Sequence, residues 1–359
     1  MNNSAARENS WQQVADDARL YLRPLSPADP GAPVELISVD GGAPARTRLA
    51  RRAVEEWAAG SGGAIEARID SLLGQIDSVH APVSGIGLDR PRIMAIVNVT
   101  PDSFSDGGKN FDAAAAIRAG REMAEVGADI IDVGGVSTRP GASPPSEAEE
   151  LARVLPVIQA MAGAGLTISI DTRRAGVMAA ALEAGAKIIN DISSLSADPE
   201  SLALAAGCNA PVVLMHMQGE PETMQEAPTY DHVSLDVFDY LESRIAACQV
   251  AGVARHRLIV DPGIGFGKTK AHNLQILRDL ALFRALGCPL LVGLSRKYFI
   301  AALSAGEPAP ERLPGSIAGA LHALSQGAQI VRVHDASETS QAIKVWQAIR
   351  GDNAGIVEK

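Results

Sequence analysis

The sequence predicts an α/β fold, a (β/α)8 TIM barrel preceded by an N-terminal extension, and three observations predict it. From residue 92 onward, short β-branched apolar runs alternate with Ala/Leu-rich amphipathic stretches that end in Gly, the pattern of a parallel sheet with crossover helices. Eight such runs can be counted, which suits a closed barrel better than an open doubly wound sheet. Polar residues stand at the C-terminal end of every run, and in a barrel all eight ends converge on the face where loops build the active site.

In order, the runs are 93–97, 130–133, 167–170, 187–189, 212–215, 258–260, 290–292 and 330–333. Directly after them come Asn98, the Gly134–Gly135 pair, Asp171, Asn190, His216, Asp261, Ser295 with Lys297, and His334, while Arg332 lies inside the last run. Any one of these alone could be a helix N-cap or turn residue; their repetition points to a shared site. Between the runs, 112–126 reads as a helix with Asp112 as N-cap and Gly127 as stop, and 174–184 as one closed by Gly185. Residues 1–90 break the pattern: Pro/Gly clusters, an apolar run at 34–39 and amphipathic helix candidates at 46–59 and 64–76. We expect residues 1–90 to be an extension of unknown role packing on the barrel, 91–350 to be the barrel and 351–359 a tail.

Composition narrows the function. A 47% apolar share with 21% charged residues describes a chain that buries a large core. Thirty-two Lys and Arg against 42 Asp and Glu give a net charge of −10, the wrong sign for a protein whose main business is nucleic acid. An anionic ligand then needs a local basic cluster. Cys208, Cys248 and Cys288 form no CxxC pair and no zinc spacing, so a reducing cytoplasm is expected. The start lacks the n-region and h-region of a signal peptide and no apolar run is long enough for a membrane span.

The loop after the first run, Asn98-Val-Thr-Pro-Asp-Ser-Phe-Ser-Asp-Gly-Gly108, and that after the second, Gly134-Gly-Val-Ser-Thr-Arg139-Pro-Gly-Ala-Ser-Pro-Pro145, read as lids over a ligand or as surface linkers. Asp171, Asn190 and Asp261 share one cavity in this reading. They suit a flat ring edge rich in N–H donors, because a carboxylate only accepts; a Mg²⁺ site is the alternative. Ser295-Arg-Lys297, Arg332 and His334 follow the last two runs, where barrels often bind phosphate, unless Arg332 and His334 are satisfied within the fold. The stretch Asp261-Pro-Gly-Ile-Gly-Phe-Gly-Lys268-Thr is neither a P-loop nor a dinucleotide fingerprint, since Pro262 and Lys268 stand where each needs Gly.

Residues 101–104 of the first loop, Ser137-Thr-Arg-Pro-Gly141, Ile170-Asp-Thr172, Ile189-Asn-Asp-Ile192, Met215-His-Met-Gln-Gly219, 261–268, Ser295-Arg-Lys297 and Val331-Arg-Val-His-Asp335 occur in order over residues 91–350. In these motifs the chain resembles the dihydropteroate synthase family of pterin-binding barrels. The resemblance implies that 4-aminobenzoate displaces pyrophosphate from 6-hydroxymethyl-7,8-dihydropterin pyrophosphate, with Mg²⁺ assisting. It implies that Asp171, Asn190 and Asp261 hold the pterin edge, with Lys297 reaching its carbonyl and ring nitrogen. Asn98 would ligate Mg²⁺, and Arg332 and His334 would grip the leaving group; the catalytic set would be Asp171, Lys297, Arg332 and His334. Thr138 and Arg139 would come from the second lid, Thr138 to both substrates and Arg139 to the aminobenzoate, and Phe104, Pro140, Phe266 and Tyr298 would help form the aminobenzoate slot. Tyr298 departs from the Ser that many members carry there. The family also implies a homodimer. The 90-residue leader is longer than the family's usual start and too short for a fused pyrophosphokinase, so a monofunctional chain is expected. The alternatives are a catalytically silent pterin binder and a methyltetrahydrofolate-type methyltransferase; the basic residues after the last two runs argue against the latter, which needs no pyrophosphate site.

Overall fold

The computed structural model of the chain describes residues 10–351, apart from 13, 16, 28, 101–112, 137–144 and 222. Eight parallel strands follow the eight apolar runs: β4 (Arg92–Asn98), β5 (Ile130–Gly134), β6 (Ile168–Asp171), β7 (Ile188–Asp191), β8 (Val212–Met215), β9 (Leu258–Asp261), β10 (Leu291–Gly293) and β11 (Ile330–Val333). Before them lie β1 (Arg19–Pro24), β2 (Val34–Val39) and β3 (Ala45–Leu49). Sheet order is β10-β11-β4-β5-β6-β7-β8-β9, and a parallel bridge from Val260 to Leu290 joins the two ends. The barrel is closed.

Helices cross between the strands. They are α3 (Ala113–Glu125), α4 (Glu147–Ala162), α5 (Ala175–Glu183), α6 (Ser201–Gly207), α7 (Val233–Val250), α8 (Lys270–Arg278), α9 (Tyr298–Ala301), α10 (Leu313–Ser325) and, after β11, α11 (Ala336–Arg350). They follow α1 (Arg51–Ser61) and α2 (Gly63–Ile76) of the extension. None of the described helices is long and apolar enough to cross a membrane.

Alternation along each strand separates the inside of the barrel from the outside. Outward residues such as Ile131, Val133 and Ile170 pack under the helices. Inward, one apolar layer holds Met94, Ile130, Ile188, Val213, Ile259, Leu291 and Ile330. Two residues further along the strands stand Asp132, Asn190, Asp261, Gly293 and Arg332, with Ile96 and Met215 the apolar members of that layer, so it is largely polar. This switch within two residues separates a barrel floor that carries stability from a top that carries chemistry.

A tight hairpin plugs the floor. Val83 and Ile86 pair across Ser84 and Gly85, whose φ values of 48° and 83° match a two-residue turn with both centres left-handed. The turn delivers buried Val83 into the apolar layer, with Ile86 and Leu88 packed against it.

In the extension, β1, β2 and β3 form an antiparallel sheet, and the helix expected over 46–59 is corrected accordingly. Residues Ala45–Leu49 are strand β3, paired with β2 from Ser38↔Ala45 to Val34↔Leu49, and the helix starts only at Arg51. Arg46, Thr47, Arg48 and Leu49 also fit a two-residue period, and pairing with β2 decides between the two readings. Strand β1 has no counterpart in the sequence reading. The sheet and helices pack on the barrel. Tyr21 stands edge-on to Phe238 of α7, with ring centroids 5.5 Å apart, and Leu22, Ile37, Ile69 and Leu72 share one core with Phe283 and Leu286. Arg46 makes a bidentate bond to Asp279, at 2.8 and 2.9 Å, just past α8.

Candidate active site

Asp132, Asp171, Asn190 and Arg332 form a connected set. Arg332 donates from Nε to Asp132 Oδ2 and from Nη2 to Asp171 Oδ2, both at 2.7 Å. Asn190 donates from Nδ2 to the same Asp132 oxygen at 3.0 Å. Gly134 pairs with Asp171 across β5 and β6, and a Cβ there would stand 3.4 Å from the Asp171 Cβ. Gly293 likewise faces the Arg332 side chain, whose Cβ lies 3.6 Å from the site of an added Cβ. An added Cβ at either strand end would make ordinary van der Waals contact with the carboxylate or guanidinium side chain beside it.

The electrostatics follow from burial. The Asp171 carboxyl is pushed up to about 7, chiefly by desolvation, with Arg332 opposing and Asp132 adding repulsion. The guanidinium does not win because it divides its charge between two carboxylates. Burial also works against the charge of Arg332, but Asp132 and Asp171 outweigh it and keep Arg332 firmly cationic. Asp261, buried and bonded by the Gly263 N–H at 2.8 Å, is raised by desolvation in spite of Lys297. Lys297 is lowered to about 8 by burial, with Asp261 opposing and Arg332 assisting. Its ammonium donates to the Ile264 carbonyl and lies 4.5 Å from the Phe266 ring centroid. His334 is held neutral at neutral pH, lowered to about 4 by burial and then by Arg332 and Arg296; its Nδ1 is 3.1 Å from Ser295 Oγ.

The expected site residues thus divide. Asp171, Asn190, Asp261, Lys297, Arg332 and His334 gather at the C-terminal ends of β6, β7, β9, β10 and β11, with Asn98 half-buried at the end of β4. Tyr298 opens α9, is 76% exposed and has Arg312 5.9 Å from its ring centroid. Phe104, Thr138, Arg139 and Pro140, with most of both expected lids, lie outside the described residues.

Three groups escaped the sequence reading. Asp132 is fully buried in the middle of an apolar strand, and the signal was available: a lone acid there has to find a partner. Buried Glu150 of α4 accepts from Thr172 Oγ1 and Arg174 Nη1, both at 2.7 Å, which fixes the turn after β6. Buried Lys268 donates to the His216 carbonyl at 3.3 Å and the Phe266 carbonyl at 3.0 Å, with its Nζ 2.8 Å from His216 Nδ1. These bonds make Lys268 a clamp between the loops after β8 and β9, and desolvation lowers the pKa of both Lys268 and His216.

Acceptors at three strand ends stand beside the half-buried Lys297, with an arginine and a neutral histidine alongside, a set of donors and acceptors whose chemistry suits a planar N–H-rich ring carrying an anion. Residues 94–334 match the family described as "Pterin binding enzyme". The chain belongs to this family. It is 50% identical to the dihydropteroate synthase of Escherichia coli K12 over 271 residues, 75% of this chain and 95% of that protein. The dihydropteroate synthase of Xanthomonas albilineans, solved with 4-aminobenzoic acid, superposes with a TM-score of 0.71 at 46% identity, covering 76% of this chain and 98% of that one. The same enzyme in complex with 7,8-dihydropteroate superposes with a TM-score of 0.67 at 46% identity, covering 74% and 95%. The expected fold and family are borne out.

Proposed function

We propose that this chain is a dihydropteroate synthase. It joins 6-hydroxymethyl-7,8-dihydropterin pyrophosphate to 4-aminobenzoate, giving 7,8-dihydropteroate and pyrophosphate for folate biosynthesis. The observation that carries the reading is the polar layer, in which the acceptors Asp171, Asn190 and Asp261 stand beside Lys297, with Arg332 and His334 close by. In this reading Asp171, Asn190 and Asp261 take the ring edge and Lys297 its carbonyl and ring nitrogen. Phe266 borders the arylamine slot, to which Phe104, Thr138, Arg139, Pro140 and Tyr298 contribute; Thr138 also reaches the pterin diphosphate.

Cleaving the C–O bond leaves positive charge spread into the pterin and negative charge on pyrophosphate, so stabilising both ends supplies the rate. Asp171 and Asp261 favour the cation. Arg332 favours the anion. His334, neutral before the ligand arrives, donates to the leaving group. A pocket closed to water protects the cation until the weakly nucleophilic arylamine attacks.

Mg²⁺ is the expected cofactor. Among the described residues no group of three or more His, Cys, Asp or Glu could hold a metal ion, so an all-protein cage does not fit. One amide oxygen does, because Mg²⁺ keeps several waters and is bound largely through substrate phosphates. Asn98 would hold it, and the bound ion would neutralise charge developing on the diphosphate.

A homodimer in the cytoplasm completes the proposal. The family resemblance supports the dimer, and the free Cys208, Cys248 and Cys288 suit a reducing compartment; light scattering tests the mass. The activity test is purified protein with both substrates and Mg²⁺, measuring pyrophosphate and dihydropteroate together. Equal amounts of both are expected. Pyrophosphate alone would mean a hydrolase, and neither product would mean a silent binder.

A further inference from the structure

Asp132 has no role in the reaction outlined above, yet two of the site's side chains meet on one of its oxygens. Oδ2 accepts from Asn190 Nδ2 at 3.0 Å and from Arg332 Nε at 2.7 Å. Among the described residues its other oxygen, Oδ1, is buried without a hydrogen-bond partner. As a stabilising device this is poor, because a buried carboxylate with one oxygen unsatisfied costs more than an apolar side chain of similar size. What the arrangement does achieve is orientation.

An amide has a donor end and an acceptor end. With Nδ2 of Asn190 donating to Asp132, its Oδ1 is the end left to accept from a ring N–H. A guanidinium presents its donors in a rigid fork. With Nε fixed on Asp132, Arg332 reaches Asp171 through Nη2 alone, and no described residue accepts from Nη1. Without the Asp132 charge, the fork would be free to swing onto Asp171 and claim the carboxylate that the ring needs.

We propose that Asp132 is a positioning residue of the synthase reaction: its Oδ2 sets the acceptor face of Asn190 and shares Arg332 with Asp171, leaving Nη1 for the leaving diphosphate. This rests on the synthase reading. The role is one of geometry, and displacements of about 1 Å at such groups cost on the order of a hundredfold in rate.

The test compares wild type, D132N, R332A and the double variant, all full-length, with both substrates and Mg²⁺. The D132N variant should fold and lose about a hundredfold in kcat/KM for the pterin pyrophosphate. KM for 4-aminobenzoate should stay within about twofold, because a positioning loss is local whereas a loosened barrel raises both constants. The double variant should lose at least about tenfold less than the product of the single losses, since Asp132 acts partly through Arg332. Ser169 pairs with Asp132 in register across β5 and β6, so S169A serves as the control for local volume and should keep wild-type activity. An unimpaired D132N, strictly multiplicative losses or a parallel rise in the 4-aminobenzoate KM would overturn the role. D132S, which leaves room for a water, replaces D132N if the latter does not fold; if neither folds, Asp132 is a residue of the fold and the role is overturned. An inactive wild type would remove the synthase reading and this role with it, whereas an active wild type with an unimpaired D132N removes the role alone.

Discussion

Replacing Gly263 with Ala should damage this protein through a single methyl group. Gly263 follows β9 at φ +67°, and a Cβ there would lie 1.9 Å from the His216 carbonyl oxygen and 3.0 Å from its carbonyl carbon. Backbone cannot rotate aside as a side chain can, so the loops after β8 and β9 must separate. The left-handed conformation costs Ala about 1–2 kcal/mol. The Gly263 N–H bond to the Asp261 carboxylate, 2.8 Å long, is charge-assisted and its loss costs about 1.5–3 kcal/mol. Together these give roughly 3–5 kcal/mol. With an unfolding entropy of about 2.1 cal/mol/K per residue over a chain of this length, that lowers Tm by about 4–7 °C. Gly265→Ala is the matched comparison. It too has positive φ, +83°, but its Cβ meets only the Lys297 side chain, 2.9 Å from Cδ, which can move. It should cost about 1–2 kcal/mol while moving Lys297 off its carbonyl and lowering kcat/KM. Calorimetry and steady-state kinetics on both variants decide the matter: a Gly263→Ala protein that melts within a degree of wild type and keeps full activity would refute the interlocked loops.

Three further outcomes are expected. Arg332→Ala should lower turnover strongly while a pterin without diphosphate still binds, as read by calorimetry; equal losses in both would contradict a role at the leaving group. The pH profile of kcat/KM should be bell-shaped: activity rises through about 7 as Asp171 loses its proton and can accept from the ring, then falls above about 8 as Lys297 loses its own. Lys297→Arg should remove the alkaline fall. Arg46→Ala leaves Asp279, 4% exposed at its side chain, without its bidentate partner, so we expect a loss of about 1–3 kcal/mol and faster proteolysis within residues 19–49 at unchanged KM.

The barrel was legible because the apolar residues of its eight runs are buried on both faces, and burial on both faces leaves a continuous signature in the residue types. The strand ends were legible for the opposite reason: polarity returns abruptly where solvent and ligand do. Asp132 was not, because it sits among Ile130, Ile131 and Val133, and reading the run as apolar hides a single acid whose partners are 58 and 200 residues away. Lys268 was hidden differently. Its Gly-rich neighbours invite comparison with phosphate loops, while its Nζ is spent on protein carbonyls and His216. In the extension, the pattern over 46–59 suits helix and strand alike at its start, and only the neighbouring β2 decides. Local sequence carries the period of an element; it does not carry the identity of a distant partner.

The hairpin at Val83–Ile86 bears on how the protein can be taken apart. A boundary at residue 90 falls after this turn, so a chain begun at residue 91 would keep every barrel strand and lose the stopper at its base. Met94, Ile130, Ile188, Val213, Ile259, Leu291 and Ile330 would then open to water at one end of the barrel, an apolar ring of the kind that drives association between molecules. The first ninety residues therefore cannot be removed as a cosmetic trim. Where this barrel is transplanted or shortened, the cut belongs before Val83, so that the plug travels with the barrel it closes.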